Sequence, residues 1–476
     1  MSLAARRAAW AVFSGLLLWL SFPNPWAMHF EVWPSWVAFV ALVPLLAVLE
    51  GRGPKEGFQL GFLTGSAFFL PGLLWLTRVQ PLGLGAFPAW CGLAAWCALF
   101  PAAFGAVAAW GLRRKLMAPA LWLAALWTLL EALREHLLTG FPWLNLGSSQ
   151  FNNPAILPLA ALAGQAGLTF AVALVNAVVC ALLFKPAWVL PPRRSLPVLA
   201  LLLALGWGTR WQAQAQKRWD IQGPPPGSAL AAHGLKVGVV QGGIDENQIW
   251  NRSYRAEVMG TYLRLSELAA DQGARLILWP ESSFPGYFNE GAPEATEVLN
   301  FARQEHVNLL IGSTLSTGGV YTNSAVLVRP DGSTQSYAKR HLVPFGEYVP
   351  LRHWIPLLNR LLDSFGMVSF TPGTASACFR VGSSLVSPLI CFESVFPDLS
   401  RGPDNPDLLA ILTDDTWYGI TPGPVWDASQ AIVRAVENGC WVARSAATGI
   451  SLVASPEGHV RVSADLGTVG VLVQVI

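Results

Sequence analysis

The sequence predicts a protein in two parts, a multi-pass α-helical membrane bundle followed by an α/β domain built as a sandwich of layers. Hydrophobic residues make up 53% of the 476 residues and charged residues only 13%, well outside the usual composition of soluble proteins. The 22 tryptophans suit the lipid–water boundaries of a membrane protein. Beyond residue 230 the long apolar runs give way to short apolar strands that alternate with helical patterns.

About seven apolar segments within residues 1–211 predict membrane-spanning helices. Arg6 and Arg7 precede the first segment, and the further apolar segments that follow favour a membrane span over a signal peptide. The predicted spans are residues 8–22, 36–49, 58–76, 89–110, 118–133, 156–184 and 196–207. The first, second, fifth and seventh are short or contain proline, whereas the others approach the ~20 residues that a bilayer requires.

The basic residues between the spans predict the orientation of the chain. With the N-terminus inside, the short outer connections carry only Arg78 and Arg134. The inner connections carry Arg6, Arg7, Arg52, Lys55, Arg113, Arg114, Lys115, Lys185, Arg193 and Arg194. This asymmetry follows the positive-inside rule, and an odd number of spans then delivers the chain after Arg210 to the outer side. The C-terminal domain is therefore expected to be extracytoplasmic.

Three features inside the bundle have alternative interpretations. Gly61 and Gly65 permit close helix packing, although one such pair is common in apolar helices. The charged residues in 131–136 are interpreted as an interfacial cluster rather than an ion path. Residues 140–144, which contain Phe141 and Trp143, predict either an acyl-chain entry or part of an aromatic belt.

Residues 212–230 are polar and rich in proline towards their end, which indicates a linker. Residues 231–476 predict the catalytic α/β domain. Its expected strands are 235–241, 275–279, 307–313, 325–329, 384–390, 407–413 and 441–445, and its expected helices are 253–270, 295–305 and 426–438. Turn sequences at 330–332 and 456–458 indicate hairpins. Residues 351–362 place six apolar side chains on one helical face, which predicts either a core-facing helix or an interfacial lid.

Three groups in this domain fit thiol-based acyl transfer. The strand at 384–390 ends on Cys391, so the thiol is expected at a sharp strand-to-helix turn, as in a nucleophile elbow. That signal is weak alone, because most cysteines in apolar runs are buried hydrophobic residues. Glu281 follows the strand at 275–279, and Lys339 precedes a loop broken by proline and glycine.

The chemistry assigns a role to each of these groups. A thiol needs a nearby base or cation before it becomes a nucleophile. Glu281 would accept the proton of Cys391. Lys339 would stabilise the thiolate and, with backbone N–H groups near Phe392, the oxyanion of a tetrahedral intermediate.

Two more glutamates, Glu347 and Glu393, would hold Lys339 charged and in position. For each glutamate the alternative is a surface salt bridge. No cysteine or histidine spacing indicates a metal, and no glycine-rich loop indicates a phosphate-binding cofactor. We therefore expect no metal and no cofactor. The absence of a basic block with interleaved aromatic residues argues against nucleic acid as a partner.

Four stretches of sequence resemble the apolipoprotein N-acyltransferases, which are membrane members of the nitrilase, or carbon–nitrogen hydrolase, superfamily. They are His341-Leu342-Val343-Pro344-Phe345-Gly346-Glu347-Tyr348-Val349-Pro350, Trp279-Pro280-Glu281-Ser282, Cys391-Phe392-Glu393 and Gly140-Phe141-Pro142-Trp143. The first is highly specific to that family. The resemblance implies that Glu281, Lys339 and Cys391 form the catalytic triad within an α-β-β-α nitrilase-like sandwich.

By the same resemblance, Glu347 and Glu393 are essential neighbours of the triad, and Trp250 and Trp417 lie around the substrate opening. The implied reaction moves an acyl chain from a phospholipid to Cys391 as a thioester. The α-amino group of a lipoprotein's diacylglyceryl-cysteine then takes the chain as an amide. The implied location is the bacterial cytoplasmic (inner) membrane, with the catalytic domain on the periplasmic side.

Two alternatives remain open from the sequence. A membrane-tethered amidase would use the same triad with water as the acceptor, and a catalytically silent homologue would retain the fold in a binding role. The sequence also departs from the family pattern. Asp414 stands where an asparagine is common before Asp415, and Asp427 stands where a histidine is usual.

Overall fold

A computed structural model describes residues 2–25, 35–79, 85–114, 116, 118–184, 234–289, 291–349, 369–402 and 404–476. Contacts divide the chain into two units, Met1–Gly223 with Trp417–Glu437, and Pro224–Thr416 with Asn438–Ile476. The predicted seventh span, the linker and the lid segment all lie outside the described residues. So do Lys115, Lys185, Arg193 and Arg194 of the predicted inner connections.

The first unit is a bundle of helices. Among the described residues up to 184, its helices are α1 (Leu3–Leu20), α2 (Val43–Leu49), α3 (Pro54–Gly72), α4 (Ala86–Arg113), α5 (Pro119–His136) and α6 (Ala160–Phe184), with 3₁₀ helices at Ser35–Phe39, Leu74–Arg78, Leu146–Gln150 and Leu157–Leu159. Among the described residues, Leu3–Leu20, Ala86–Arg113 and Leu157–Phe184 are long and apolar enough to cross a membrane. The expectation of a multi-pass helical membrane bundle is confirmed.

The predicted second span, residues 36–49, is not one continuous helix. The chain forms the 3₁₀ helix Ser35–Phe39 and then starts α2, whose first turn contains Pro44. Proline suits a first helical turn because it has no N–H to donate, so it begins a new helix here. With seven residues, α2 is much shorter than the ~20 residues needed to span a bilayer alone.

Small residues bring α3 and α4 into close contact. An added Cβ at Gly61 would lie 2.1 Å from the Pro101 carbonyl oxygen, and one at Gly57 would lie 2.2 Å from that of Gly105. Gly65 is equally close to α4, with Ala98 Cα 2.7 Å from its added Cβ position. The pair noted in the sequence is therefore part of a run of three glycines at which the two helix backbones meet.

Glu131 and Arg134 of α5 are buried within the first unit, and their interpretation as charges at the membrane interface stays a prediction. Glu131 Oε1 accepts the backbone N–H of Leu146 at 2.8 Å. Arg134 donates to the carbonyl oxygens of Phe141 at 3.0 Å and Trp143 at 2.6 Å. Backbone groups in a loop need partners where water is scarce, and these two side chains supply them for the segment that contains Trp143.

Helix α11 (Gly423–Asn438) lies in the C-terminal half of the sequence but packs, up to Glu437, within the first unit. Its Trp426 Nε1 donates to the Pro23 carbonyl at 2.6 Å, and Arg434 donates to Gln165 Oε1 at 2.6 Å. Every residue from Gly423 to Val436 is buried. A helix apolar on one side and polar on the other would leave one face in water, so burial along the whole helix indicates neighbours on all sides.

The second unit contains two six-stranded sheets with the orders β12-β1-β2-β3-β4-β5 and β11-β10-β9-β8-β7-β6. The strands are β1 (Lys236–Gln241), β2 (Leu276–Leu278), β3 (Asn308–Thr317), β4 (Val320–Val328), β5 (Thr334–Ala338), β6 (Phe379–Val381), β7 (Ser384–Ile390), β8 (Leu408–Thr413), β9 (Trp441–Ala446), β10 (Ser451–Ala454), β11 (Val460–Ala464) and β12 (Gly470–Val475). In each sheet the three central strands (β1–β3 and β7–β9) are parallel, and every other pair of neighbouring strands is antiparallel.

The helices of this unit are α7 (Glu246–Trp250), α8 (Arg255–Asp271), α9 (Pro293–Gln304) and α10 (Pro397–Ser400), with 3₁₀ helices at Arg252–Tyr254 and Cys391–Val395. Apolar side chains of α8 and α9, such as Tyr262 and Val298, join those of the first sheet in one core. A second core, which contains Leu278 and Leu412, forms where the two sheets face each other. All seven predicted strands, all three predicted helices and both predicted hairpins are present.

Candidate active site

Cys391 lies where β7 ends, as the sequence predicts. Its φ is +49°, in the left-handed region that non-glycine residues rarely adopt, and the 3₁₀ helix Cys391–Val395 begins with it. The residue is only 9% exposed. Ser394 Oγ donates to the Cys391 carbonyl at 2.8 Å, which stabilises the turn. A strained backbone of this kind is a frequent mark of a functional position.

Glu393 ties this turn to the end of β5. Its Oε2 accepts the backbone N–H of Ile390 at 2.8 Å, and its Oε1 accepts the Tyr337 hydroxyl and the Arg340 N–H, each at 2.7 Å. The His341 N–H also donates to Oε1 at 3.3 Å. Burial raises the pKa of Glu393, and these hydrogen bonds oppose that rise. The carboxylate therefore holds the cysteine turn and the segment after Lys339 against each other.

Lys339 and Asn323 each bridge the same two carboxylate oxygens. Lys339 Nζ lies 3.0 Å from Glu281 Oε1 and 2.9 Å from Glu347 Oε1. Asn323 Nδ2 donates to both of those oxygens at 2.7 Å. The four groups form a closed ring of charge-assisted hydrogen bonds, which are stronger than neutral ones.

Lys339 is cationic in this environment although it is only 1% exposed. Burial alone would lower its pKa, but the carboxylates of Glu281 and Glu347, and an electrostatic interaction with Cys391, raise the pKa well above its ordinary value. The same interaction places the ammonium group within electrostatic range of the thiol. A cation beside a cysteine favours its thiolate form.

Glu281 follows β2 and is held on both of its oxygens. Oε1 takes part in the ring described above, and Oε2 accepts the backbone N–H of Asp414 at 3.0 Å. Gly312 of β3 packs on the backbone here, since an added Cβ would lie 2.5 Å from Glu281 Cα. Ser282 then takes a left-handed φ of +51°. The carboxylate is thus fixed by its strand end, by a neighbouring glycine and by a turn of the second sheet.

Glu347 is fixed by its own loop. Its Oε2 accepts the Val343 N–H at 2.7 Å, while its N–H donates to the Val343 carbonyl at 2.9 Å. Phe345, at the tip of the loop, has φ +65° and is 60% exposed. The loop therefore presents an apolar ring to the outside while it holds a carboxylate on Lys339.

The other three predicted site residues are positioned differently. Phe392 is buried, with its ring centroid 5.0 Å from that of Phe396. Trp250 is 42% exposed at the end of α7. Trp417 lies in the 3₁₀ helix Thr416–Tyr418, in the part of the chain grouped with the first unit. The structure thus brings Glu281, Lys339, Glu347, Glu393 and Cys391 into one network.

Sequence reasoning missed Asn323, which lies within β4 and carries no motif. It also missed the buried pair of Asp415 and Arg444, whose side chains are 2.9 Å apart. Paired polar residues on separate strands become visible only once strand order is known. Within the described residues, no cluster of three or more histidine, cysteine or acidic side chains is arranged for a metal ion.

Comparison with known proteins assigns both parts of the chain. Residues 14–178 match a family model described as the apolipoprotein N-acyltransferase N-terminal domain, and residues 236–476 match the carbon–nitrogen hydrolase family. An apolipoprotein N-acyltransferase of Geobacter metallireducens is 35% identical over 95% of this chain and 85% of its own length. The chain belongs to the apolipoprotein N-acyltransferase family. Similar members occur in Rhodopseudomonas palustris, at 31% identity over 98% of this chain and 89% of the relative, and in Azotobacter vinelandii, at 31% over 90% and 82%.

Among solved structures, this family member is similar to a CN-hydrolase superfamily protein of Xanthomonas campestris. The identity is 22%, the TM-score 0.41, and the match covers 51% of this chain and 91% of that one. It is also similar to an amidase of Nesterenkonia, at 19% identity and a TM-score of 0.40, over 51% of this chain and 90% of the amidase. The family matches themselves confirm the expected fold class of a membrane bundle plus a nitrilase-like α/β domain.

Proposed function

We propose that this membrane protein transfers an acyl chain from a phospholipid to the free α-amino group of the diacylglyceryl-cysteine that begins a lipoprotein, through a thioester on Cys391. One observation carries the proposal. Lys339 is bridged between Glu281 and Glu347 and interacts electrostatically with Cys391, in a chain that matches the N-acyltransferase family over nearly its whole length.

In the first half-reaction, Glu281 takes the thiol proton of Cys391 and the sulfur attacks the ester carbonyl of the phospholipid. A C–S bond forms as the carbonyl becomes an oxyanion, which the Lys339 ammonium and nearby backbone N–H groups stabilise. The intermediate then expels the lysophospholipid oxygen. Glu281 returns the proton to that oxygen, so the products are a thioester and a neutral lysophospholipid alcohol.

In the second half-reaction, the lipoprotein amine attacks the thioester carbonyl. Glu281 accepts a proton from the attacking nitrogen, the C–S bond breaks, and the amide leaves. The Cys391 thiolate recovers the proton, which restores the starting state. Glu347 and Asn323 hold the Lys339 and Glu281 side chains in position throughout, because Asn323 bonds both glutamates and Glu347 bonds Lys339.

We also propose that the protein resides in the bacterial cytoplasmic (inner) membrane with its catalytic domain on the periplasmic side. Basic residues from three connections support this orientation. Arg7 pairs with Glu56 at 2.7 Å, Arg52 lies 3.9 Å from the same carboxylate, and Arg113 Nη1 is 3.5 Å from the position of a Cβ on Gly53. Positive charge thus collects at one end of α1, α3 and α4, as the inner side requires.

The test uses purified protein in phospholipid micelles with a diacylated lipopeptide that has a free N-terminus. Mass spectrometry follows both the peptide and the protein. The key variant is Cys391→Ala, and the matched control is Cys440→Ala. Cys440 is a buried cysteine of the same domain, and burial raises its pKa to about 12, so it remains an unreactive thiol.

The expected result is a peptide that gains one acyl chain, and a protein adduct of one acyl chain on Cys391 when peptide is omitted. Cys391→Ala should abolish both, and Cys440→Ala neither. An adduct that ends only as free fatty acid, with no acylated peptide, would assign the protein to the hydrolases. A folded protein that forms no adduct would make it a catalytically silent homologue.

A further inference from the structure

The second sheet contains a buried ion pair, Arg444 with Asp415, next to the residue whose N–H bonds Glu281. Arg444, on β9, donates from Nη2 to both carboxylate oxygens of Asp415, to Oδ1 at 2.9 Å and to Oδ2 at 3.0 Å. Asp415 belongs to the turn that follows β8. Both side chains are fully buried, with 0% exposure. The guanidinium also donates to the Ile450 carbonyl at 2.6 Å, so it joins two chain segments.

Stability alone does not account for such a pair. Removing two charges from water is costly, and replacing a buried pair with apolar residues is often neutral or stabilising. The surroundings are nevertheless fitted closely to the carboxylate. Thr413 Oγ1 donates to Asp415 Oδ1 at 3.1 Å, and at Gly449 an added Cβ would lie 1.7 Å from Asp415 Oδ2. The position of Asp415 is thus determined from three sides.

The next residue back along this turn touches the catalytic base. The Asp414 N–H donates to Glu281 Oε2 at 3.0 Å. The side-chain Oδ1 of Asp414 accepts the Thr416 N–H at 2.9 Å. Either aspartate or asparagine can accept that bond, so the departure from the family pattern at Asp414 leaves the contact to Glu281 intact.

We propose that Arg444 is a positioning residue for the acyl transfer, which acts on Glu281 through Asp415 and the backbone N–H of Asp414. Among the contacts described for Arg444, none is to Lys339 or Glu281. Arg444 holds the turn at Asp415 in place, and the turn directs the Asp414 N–H toward Glu281. That hydrogen bond orients the Glu281 carboxylate and favours its charged form. This inference rests on the proposed function of Glu281 as the base for Cys391.

Several charged and titratable groups lie around the Glu281 carboxylate in the described part of the chain. Lys339 and Glu347 face it from the ring, Asp414 faces it from the turn, and Cys391 interacts with Lys339. Loss of the Asp414 N–H bond would leave all of these in place. The change would be the loss of one hydrogen bond to the Glu281 carboxylate, and losing a hydrogen bond to the charged form moves the protonation of a carboxylate to higher pH.

The experiment measures the rate at which Cys391 is acylated by phospholipid, with peptide omitted, as a function of pH. Alkylation of Cys391 by iodoacetamide is measured in parallel, since it needs no acyl donor. The first variant is Thr413→Val, which removes the hydroxyl donor to Asp415 with little change of shape. The second is the double variant Arg444→Met with Asp415→Asn, which leaves no unpaired buried charge.

The control variant is Arg255→Met. Arg255 is a cation of the same unit whose pair with Glu294, at 3.8 Å, lies outside the network around Glu281. Tryptophan fluorescence during denaturant unfolding establishes that each variant is folded. Thr413→Val decides the question if the double variant does not fold.

The double variant should move the acid limb of both pH profiles upward by about one unit, with an about tenfold lower rate at a pH below that limb. Thr413→Val should move it in the same direction by about half as much, and Arg255→Met should leave it unchanged. Folded variants with unshifted limbs would overturn the positioning role. Absence of acylation in the unmodified protein would instead contradict the proposed function, and the alkylation profiles would still test Arg444.

Discussion

Glu393 is the side chain on which the geometry of the cysteine turn depends most directly. Its carboxylate accepts bonds from Ile390, Tyr337, Arg340 and His341 while it is fully buried. Glu393→Gln would turn an N–H toward one of these donors. We expect the free energy of unfolding to fall by about 2 kcal/mol, since one buried donor is left unpaired.

Denaturant unfolding in detergent micelles, followed by tryptophan fluorescence, measures this loss. Glu457→Gln, on the β10–β11 turn, is the matched control and should leave stability unchanged. A Glu393→Gln protein as stable as the parent would show that the carboxylate is not needed as an acceptor.

Lys339 should resist acylating reagents even in alkaline solution. Its raised pKa means that the fold stabilises the ammonium form, an effect fully present below the ordinary lysine pKa of ~10.4 and lost only as the pH rises through the raised value. At pH 9 acetic anhydride should therefore modify the exposed Lys55 and spare Lys339. Glu347→Gln removes one of the two carboxylates, lowers that pKa and should make Lys339 more reactive, as peptide mapping would reveal.

Asn323 tests the ring of hydrogen bonds. Asn323→Asp would place a third carboxylate beside Glu281 and Glu347 and remove the amide donor that both accept. We expect the rate of thioester formation to fall by about 100-fold, because two charge-assisted bonds are replaced by repulsion. The control is Asn308→Asp at the start of β3, where the amide bonds only the Arg275 carbonyl among the contacts described. Equal rates for Asn323→Asp and the parent would rule out a role for the amide.

For individual residues, the sequence predicts the catalytic candidates that lie at the ends of strands. Cys391 and Glu281 each follow an apolar strand, whereas Lys339 follows the mostly exposed β5 and is marked by the loop broken by proline and glycine that comes after it. Asn323 and Arg444 lie within strands, and nothing in their local sequence distinguishes them from ordinary polar residues. Their function depends on which strands are neighbours, which the pattern of one strand does not contain.

The strands and helices that could be predicted from the sequence are those whose residues are largely buried. The seven expected strands have largely buried residues, whereas β5 and β11 are partly or mostly exposed and lack a continuous apolar run, and the residues of β12 are only partly buried. Strand β6 has only three residues and β10 only four. The helix at 36–49 was wrongly expected to be continuous because apolar composition does not reveal a break at Pro44.

The glycines of α3 yield a prediction about helix packing. Gly61→Val would drive a branched side chain into the Pro101 carbonyl, which lies 2.1 Å from the added Cβ. The α3 and α4 helices would have to separate, and we expect a lower thermal unfolding midpoint and less protein recovered from membranes. Gly92→Val on α4 is the control, since a Cβ there has nothing within 4 Å. Equal midpoints for the two variants would contradict close packing at Gly61.

For the molecule as a whole, the separate expression of residues 234–476 is informative. Those residues include α11, whose side chains from Gly423 to Val436 are buried and which packs with the first unit up to Glu437. Without that unit its apolar surface would face water, so we expect the fragment to aggregate unless detergent is present. Size-exclusion chromatography of the fragment and of the full chain, with and without detergent, measures this. A monomeric fragment in plain buffer would contradict the expectation.

The excursion of α11 also bears on how such proteins can recombine. The chain leaves the second unit after Thr416 and returns to it at Asn438. A gene fusion that crosses over once, between the membrane half of one relative and the hydrolase half of another, would therefore inherit a helix from the wrong parent. A working hybrid needs two additional crossovers, around residues 417–437, so that the helix travels with the bundle it packs against. In a hybrid of this protein, the boundary between the two parents must therefore follow packing and not the order of the chain.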